Sequence, residues 1–492
     1  MKLYYILAFG TLLCSQLCSS ASAAMASEEP YNSGIVIRWK DCKQRIDGFG
    51  IAQAGWAKEL FAFKNREQVM DKMFGKDGLR LNILRGEIFP HYWENETDKD
   101  FNLNDDIHIE LSDSDFINKS DDLLRRGQLW LTLKAKNKYH ISKLVFSTWS
   151  APAWMKSNGK VSNGRLKTEC YTDFANYLAA FYNAYKSKGI APYAISPSNE
   201  PGYAAPWNPS LWTADEMGKF ITSYLGPTFR KENIPAKIIF GENPLWAVYM
   251  PQLKMVSSKD FTDTILQNYP EAKDFNLIAA GHGYSLSPDI MPIKVDKEYL
   301  KTAILPFEMA EKADIPVWIT EISDVNPLDI SIHDGLKWAV TFHNYLTKAN
   351  VNAIIWWGGA MPTSNNESLI ILDKNRKDFL LSKRYDIFGN FSRYIPEEST
   401  RIQVTQSSGI PLLISAYKKD DEYTLVTINS SKQTIQTSLR LDGANINGLL
   451  KQYITNEDNS WTEMAIVQEN KEYYNLTIPP YSVVTFVGKV RL

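Results

Sequence analysis

Eight short apolar runs recur between residues 45 and 395, at 46–51, 79–84, 144–148, 193–195, 237–240, 277–280, 317–320 and 353–356. Each reads as a buried strand, and longer amphipathic stretches separate them. Tyr171 to Lys186 places Phe174, Tyr177, Leu178, Phe181 and Tyr185 at helical spacing, Thr213-Ala-Asp-Glu216 is a capping box that opens a second helix, and 331–348 predicts a third. Strand-helix alternation repeated eight times predicts a (β/α)8 TIM barrel, a fold of ~250 residues with room for insertions. An open doubly wound sheet is the competitor. It would usually carry a glycine-rich phosphate loop after its first strand, and Gly48-Phe-Gly50-Ile-Ala is not that fingerprint.

Past Tyr394 the helical periodicity stops. Alternating runs at 400–406, 412–417, 423–429, 436–441, 449–454, 472–478 and 483–489 predict a fused β-sandwich. A β-branched run at 34–39 precedes the barrel pattern and has no partner there. It is expected to join the sandwich, giving a barrel at 45–395 and a side domain made of 30–44 plus 396–492.

Two of the barrel runs end in an acid. Tyr193-Ala-Ile breaks at Pro197 and leads to Asn199, Glu200 and Pro201, while Val317-Trp-Ile-Thr ends in Glu321. Proline restricts the residue before it to extended backbone, so Glu200 is expected to be extended and rigidly held. In a barrel every residue just past a strand lies on one face, so the acids after the fourth and seventh strands would meet in one pocket. Paired carboxylates are the minimal equipment for breaking a glycosidic bond: one protonates the leaving oxygen, and the other attacks or activates water. Which acid does which depends on environment, since burial raises a carboxyl pKa and donated hydrogen bonds lower it.

A formal net charge of −2 gives no basic field for nucleic acid. With 14 Trp and 25 Tyr, aromatic rings are available for stacking on sugar C–H faces. The N-terminus carries Lys2, an apolar run from Leu3 to Leu13 and small residues ending near Ala21-Ser-Ala23. That is the pattern of a signal peptide over 1–23 and is too short to span a bilayer. Cys14 and Cys18 raise a lipid anchor as the lesser option. Cys42 and Cys170 remain, as one bridge or as two free buried thiols. There is no CxxC or HExxH, and Asp373-Lys-Asn375 lacks the rest of a calcium loop; neither metal nor cofactor is expected.

Arg45-Ile-Asp-Gly-Phe-Gly50, Thr148-Trp-Ser-Ala-Pro-Ala-Trp-Met-Lys156, Ile195-Ser-Pro-Ser-Asn-Glu-Pro201, Trp318-Ile-Thr-Glu-Ile-Ser323, Gly389-Asn-Phe-Ser-Arg-Tyr-Ile395 and the closing Ile478-Pro-Pro-Tyr-Ser-Val-Val-Thr-Phe486 together resemble glycoside hydrolase family 30. The resemblance spans nearly all of the chain after the leader. It implies a (β/α)8 barrel with a β-sandwich and cleavage of β-linked sugars with retention, Glu200 being the acid/base and Glu321 the nucleophile. It further implies that Asn199 bonds the sugar 2-hydroxyl, that Arg85 keeps the nucleophile ionised, and that His282 and Tyr284 line the site. The plain alternative for Arg85 is an ion pair with Glu87. Trp149 and Trp356 stand at strand ends where a stacking ring is expected; Trp207 and Trp357 fit packing equally well.

Substrate is read from the segments around Trp154-Met-Lys-Ser-Asn-Gly159 and Ala194-Ile-Ser, which look most similar to the xylan-cleaving members. The loop at 358–380 has Lys374, Arg376 and Lys377 but not the aromatic-arginine pattern of uronate-gripping members. The expectation is a secreted or periplasmic, monomeric endo-β-1,4-xylanase acting on (glucurono)xylan. A β-1,6-glucanase, an exo-acting β-xylosidase or β-glucosidase of glucosylceramidase type, and a non-catalytic carbohydrate-binding protein are the alternatives.

Overall fold

A computed structural model describes residues 34–93, 127–247, 255–284, 304–373, 377–465, 469–470 and 473–491. Residues 1–33, which include Cys14 and Cys18, and the loop residues Lys374 and Arg376 lie outside the described residues. Among those described, no helix is long and apolar enough to cross a membrane.

β1 (Ile35–Arg45) comes first, followed by the eight barrel strands: β2 (Gly48–Ala52), β3 (Ile83–Glu87), β4 (Lys143–Ser147), β5 (Ala194–Ser196), β6 (Lys237–Gly241), β7 (Leu277–His282), β8 (Val317–Glu321) and β9 (Ala353–Trp357). β2 to β9 close into a parallel barrel in chain order, as the alternation predicts. Side chains of a strand alternate between its faces. One set, including Ala52, Ile83, Val145, Ile239, Trp318 and Ile355, fills the barrel interior. The other set packs outward on helices such as Tyr171–Ser187 and Ile332–Thr347. The capping box at Thr213 forms, with both of its reciprocal hydrogen bonds.

One predicted strand is displaced. Leu79 and Leu81 are buried in the outer core, but Arg80 has φ 54°, so the run at 79–84 does not become a strand until Ile83. Arg85 therefore lies within β3, not just past it.

β1 leaves the barrel and pairs antiparallel with Thr400–Gln406 and parallel with Ile435–Asp442, in the middle of a ten-stranded sheet. That sheet wraps a second core, in which Ile35, Ile37 and Trp39 meet Leu425, Leu476 and Phe486. Barrel and side domain are joined through helix Lys383–Ser392: the Trp461 ring sits so close to Gly389 that a Cβ there would lie 2.1 Å from it, and Arg393 stacks on the same ring at 4.2 Å. Cys42 and Cys170 are both free, and Cys42 is exposed rather than buried, because it stands where β1 bulges out of register.

Candidate active site

Side chains at the C-terminal ends of β3, β5, β6, β7 and β8 converge on Arg85. Its guanidinium donates to Glu321 Oε2 at 2.9 Å, to Asn199 Oδ1 at 2.6 Å and to Glu242 Oε1 at 3.1 Å. The ion pair with Glu87 is not formed; Arg85 points into the barrel mouth, where a fork of fixed donors is shared among three acceptors. Burial works against its charge, but Glu242 and Glu321 outweigh it and hold the guanidinium pKa above its ordinary value.

Glu321 reaches this mouth through an irregularity. Trp318 faces the barrel interior and Ile319 the helices, and continuing that alternation would turn Glu321 outward. The β7–β8 ladder shifts register between Gly281↔Ile319 and His282↔Glu321, the kind of local slip that re-aims a side chain beside an active site. Glu321 Oε1 then accepts from the Tyr284 hydroxyl and Oε2 from Arg85. Burial pushes its carboxyl up to about 7, against the pull of Arg85 and Tyr284, with the Glu242 charge adding to the rise.

Glu200 is buried at the exit of β5. Its backbone is not extended as the following proline predicts: φ is 49°, in the left-handed region. The turn is fixed by Glu200 N–H donating to the Glu242 carbonyl at 3.1 Å and Asn199 N–H to the Thr148 carbonyl at 2.7 Å. Glu242 itself has φ 43°. Two adjoining non-glycine residues in this conformation are the kind of strain that collects at functional sites.

His282 sits between the two acids, its Nδ1 3.2 Å from Glu200 Oε1 and its Nε2 3.8 Å from Glu321 Oε2. Burial first, and Arg85 second, hold its pKa well below the ordinary value, so the imidazole is neutral. Tyr284 is pushed the other way, well above its ordinary value, by burial and the Glu321 charge, and it stays a hydrogen-bond donor. One oxygen of Glu200, one of Glu321 and a ring nitrogen of His282 all lie within 4.8 Å of one another. These three could ligate a cation, but Arg85 already neutralises the Glu321 oxygen facing His282.

The two predicted tryptophans fare differently. Trp149 is at the site, although its ring packs on the Arg85 guanidinium at 4.8 Å and lies 5.9 Å from Trp357. Trp356 is not at the site. Alternation along β9 turns Ala353, Ile355 and Trp357 inward and Trp356 outward, where it is fully buried against Trp338, Phe342 and Phe388. The half-buried ring at the mouth is Trp357, its indole N–H donating to the Glu367 carboxylate at 2.8 Å. Trp207, also half-buried, makes an edge contact with Tyr203 at 5.8 Å on the loop that carries Glu200.

Glu242 is the residue that sequence reasoning missed. Fully buried, it accepts from Arg85, from Ser147 Oγ at 2.9 Å and from Ser196 Oγ. It follows an apolar run and a glycine, a strand-end address like those of Glu200 and Glu321, and that address was its available signal.

The sequence model of O-glycosyl hydrolase family 30 matches residues 32–371. Glucuronoxylanase XynC of Bacillus subtilis (strain 168) is 24% identical, over 97% of this chain and 96% of its own. Putative glucosylceramidase 3 of Caenorhabditis elegans is 25% identical over 77% of this chain and 72% of its own. Among solved structures, the catalytic domain of GH30 xylanase C from Talaromyces cellulolyticus superposes with a TM-score of 0.75 at 21% identity, covering 93% of this chain and all of that one.

Proposed function

Since the chain belongs to O-glycosyl hydrolase family 30 and is thus a glycoside hydrolase, we propose that it is a retaining endo-β-1,4-xylanase acting on (glucurono)xylan, with Glu321 as nucleophile and Glu200 as acid/base. The observation that carries the mechanism is the approach of the two carboxylates to within 4.8 Å. Retaining enzymes hold their carboxyl groups about 5–5.5 Å apart, whereas inverting ones leave about 6.5–9.5 Å for a water.

Glu321, aimed by Arg85 and Tyr284, attacks the anomeric carbon while Glu200 gives its proton to the departing oxygen. A glycosyl-enzyme forms. Glu200, now a carboxylate, takes a proton from water as that water displaces Glu321, and the β configuration is restored. Neutral His282 suits both halves of the cycle: Nδ1 can accept from protonated Glu200 or, in the other tautomer, donate to its carboxylate. Asn199, with Oδ1 taken by Arg85, has its amide N–H to offer a sugar hydroxyl, and such a contact strengthens as the oxocarbenium ion develops. Residues 1–23 are read as an export signal, which suits an enzyme whose polymeric substrate lies outside the cell.

The substrate assignment follows the xylanase relatives. A second reading, release of terminal β-glucosyl units, follows the putative glucosylceramidase. The protein is incubated with unbranched xylan, glucuronoxylan, β-1,6-glucan and a glucosylceramide dispersion. Internal cleavage of the xylans is expected; reducing ends from β-1,6-glucan alone, or glucose from the lipid alone, would overturn the substrate. An α anomer as the first product in proton NMR would overturn retention.

A further inference from the structure

Lys156 is the most deeply buried amine near the site, with no exposed surface. It follows the short 3-10 turn Ala153–Met155 in the loop after β4. Its Nζ donates to Ser150 Oγ at 2.9 Å, to the Val161 carbonyl at 2.8 Å and to the Pro209 carbonyl at 2.8 Å. Three acceptors consume the three N–H bonds of an ammonium; a neutral amine has two, and its lone pair would face an acceptor. Among the described residues, no carboxylate pairs with it. The other titratable groups on the loops around it are Lys160, Arg165, Lys167, Glu169, Cys170, Glu200 and Tyr203, and of these Arg165 is paired with Glu216.

The acceptors belong to two different loops. Ser150 adjoins Trp149 in the loop at 148–170, and Pro209 lies in the loop at 199–212 that carries Asn199 and Glu200. The same loops are stitched by Asn199 N–H to the Thr148 carbonyl at 2.7 Å, Ser210 N–H to the Trp149 carbonyl at 3.0 Å and Leu211 N–H to the Gly164 carbonyl at 3.0 Å. Glu200 thus sits in a span anchored at both ends to its neighbour, and Lys156 is a fully buried charged group in that seam.

We infer that Lys156 is a positioning residue for the acid/base: its ammonium rivets the Glu200 loop to the Trp149 loop and thereby sets where the Glu200 proton is delivered. Burial lowers its pKa from the usual range to about 7, so the rivet loosens as pH rises past neutrality. The inference rests on the assignment of Glu200 as acid/base.

The test uses 2,4-dinitrophenyl and phenyl β-xylobiosides, or the β-gentiobiosides if β-1,6-glucan proves to be the substrate. Because kcat/KM reports glycosylation, and the dinitrophenolate leaves without a proton, a misplaced acid slows only the phenyl substrate. Lys156→Met is expected to lower kcat/KM on the phenyl glycoside by about tenfold or more and to leave the dinitrophenyl value within about threefold. Backbone hydrogen exchange should quicken in the peptide at 197–212 and stay unchanged in β8. Ser150→Ala, which removes one of the three acceptors together with the hydroxyl's own bond to the Val161 carbonyl, should show a smaller version of the same split and decides the matter if Lys156→Met fails to fold. Equal losses on both glycosides, or unchanged exchange at 197–212, overturn the inference. Glu200→Ala with added azide is the control: failure of azide to restore dinitrophenyl turnover would remove the acid/base assignment itself, whereas successful rescue without the Lys156 split removes only the rivet.

Discussion

Arg85 and Glu242 form an ion pair at 3.1 Å with side-chain exposures of 1% and 0%. The pair occupies the floor of the site and sets the charge that Glu321 meets. Glu242 raises the Glu321 carboxyl while Arg85 lowers it. Glu242→Gln keeps the shape and removes the negative neighbour, so ionisation of Glu321 becomes easier. The acidic limb of the kcat/KM profile is expected to move to lower pH. A limb that stays in place or moves upward would contradict the role given to Glu242.

Tyr284 acts in the opposite sense. Its hydroxyl donates to Glu321 and favours the carboxylate. Tyr284→Phe should shift the acidic limb to higher pH and reduce kcat by about tenfold or more, since a donor to a group that changes charge during the reaction is lost. An unmoved limb would show that Arg85 alone keeps Glu321 ionised.

Glu321 should also weaken the fold as pH rises. Its pKa is raised from 4.5 to about 7 on folding, so between those values the folded protein binds more protons than the unfolded chain. The contribution of this group to stability is complete below pH 4.5 and is lost as pH rises through about 7. Glu321→Gln removes the titration and, under the proposed mechanism, is expected to abolish turnover. The difference in Tm, variant minus wild type, should therefore grow from pH 4.5 to pH 8. A difference that shrinks over this range would mean that the Arg85 contact outweighs burial.

The adjacent tryptophans of β9 provide a test of side-chain direction. Trp356→Ala empties a fully buried position and should cost about 3–5 kcal/mol of stability, read as a large fall in Tm with KM little changed for the folded fraction. Trp357→Ala should raise KM and spare Tm. The reverse pattern would place the stacking surface on the wrong residue.

Much of this molecule was legible in the chain because two periodicities are strong. Eight apolar runs and the sandwich alternation gave the architecture, and an acid after an apolar run marked Glu200 and Glu321. Trp356 was misplaced because a strand's pleat decides which of two neighbouring rings faces inward, and a one-residue error reverses the answer. Glu321 is at the mouth despite that same pleat, through a register shift between β7 and β8 that no local pattern encodes. The backbone of Glu200 departed from the rule for residues before proline because a tertiary hydrogen bond to Glu242 fixes the turn. Glu242 escaped for a related reason: its importance lies in Arg85, Ser147 and Ser196, partners remote in sequence.

The placement of β1 bears on how the protein is made. Ile35 pairs with Gln406 on one side and with Leu439 on the other, so β1, made before the barrel, has no partner in this sheet until the barrel has been synthesised. At roughly 5–20 residues per second, it waits on the order of tens of seconds as an unpaired β-branched edge. The barrel can close during that interval, but the side domain cannot begin to assemble around β1 until Thr400–Gln406 has been made. Release of the nascent chain before residue 400 would leave a sticky strand fused to an otherwise foldable barrel, and chaperone dependence in production should track that window.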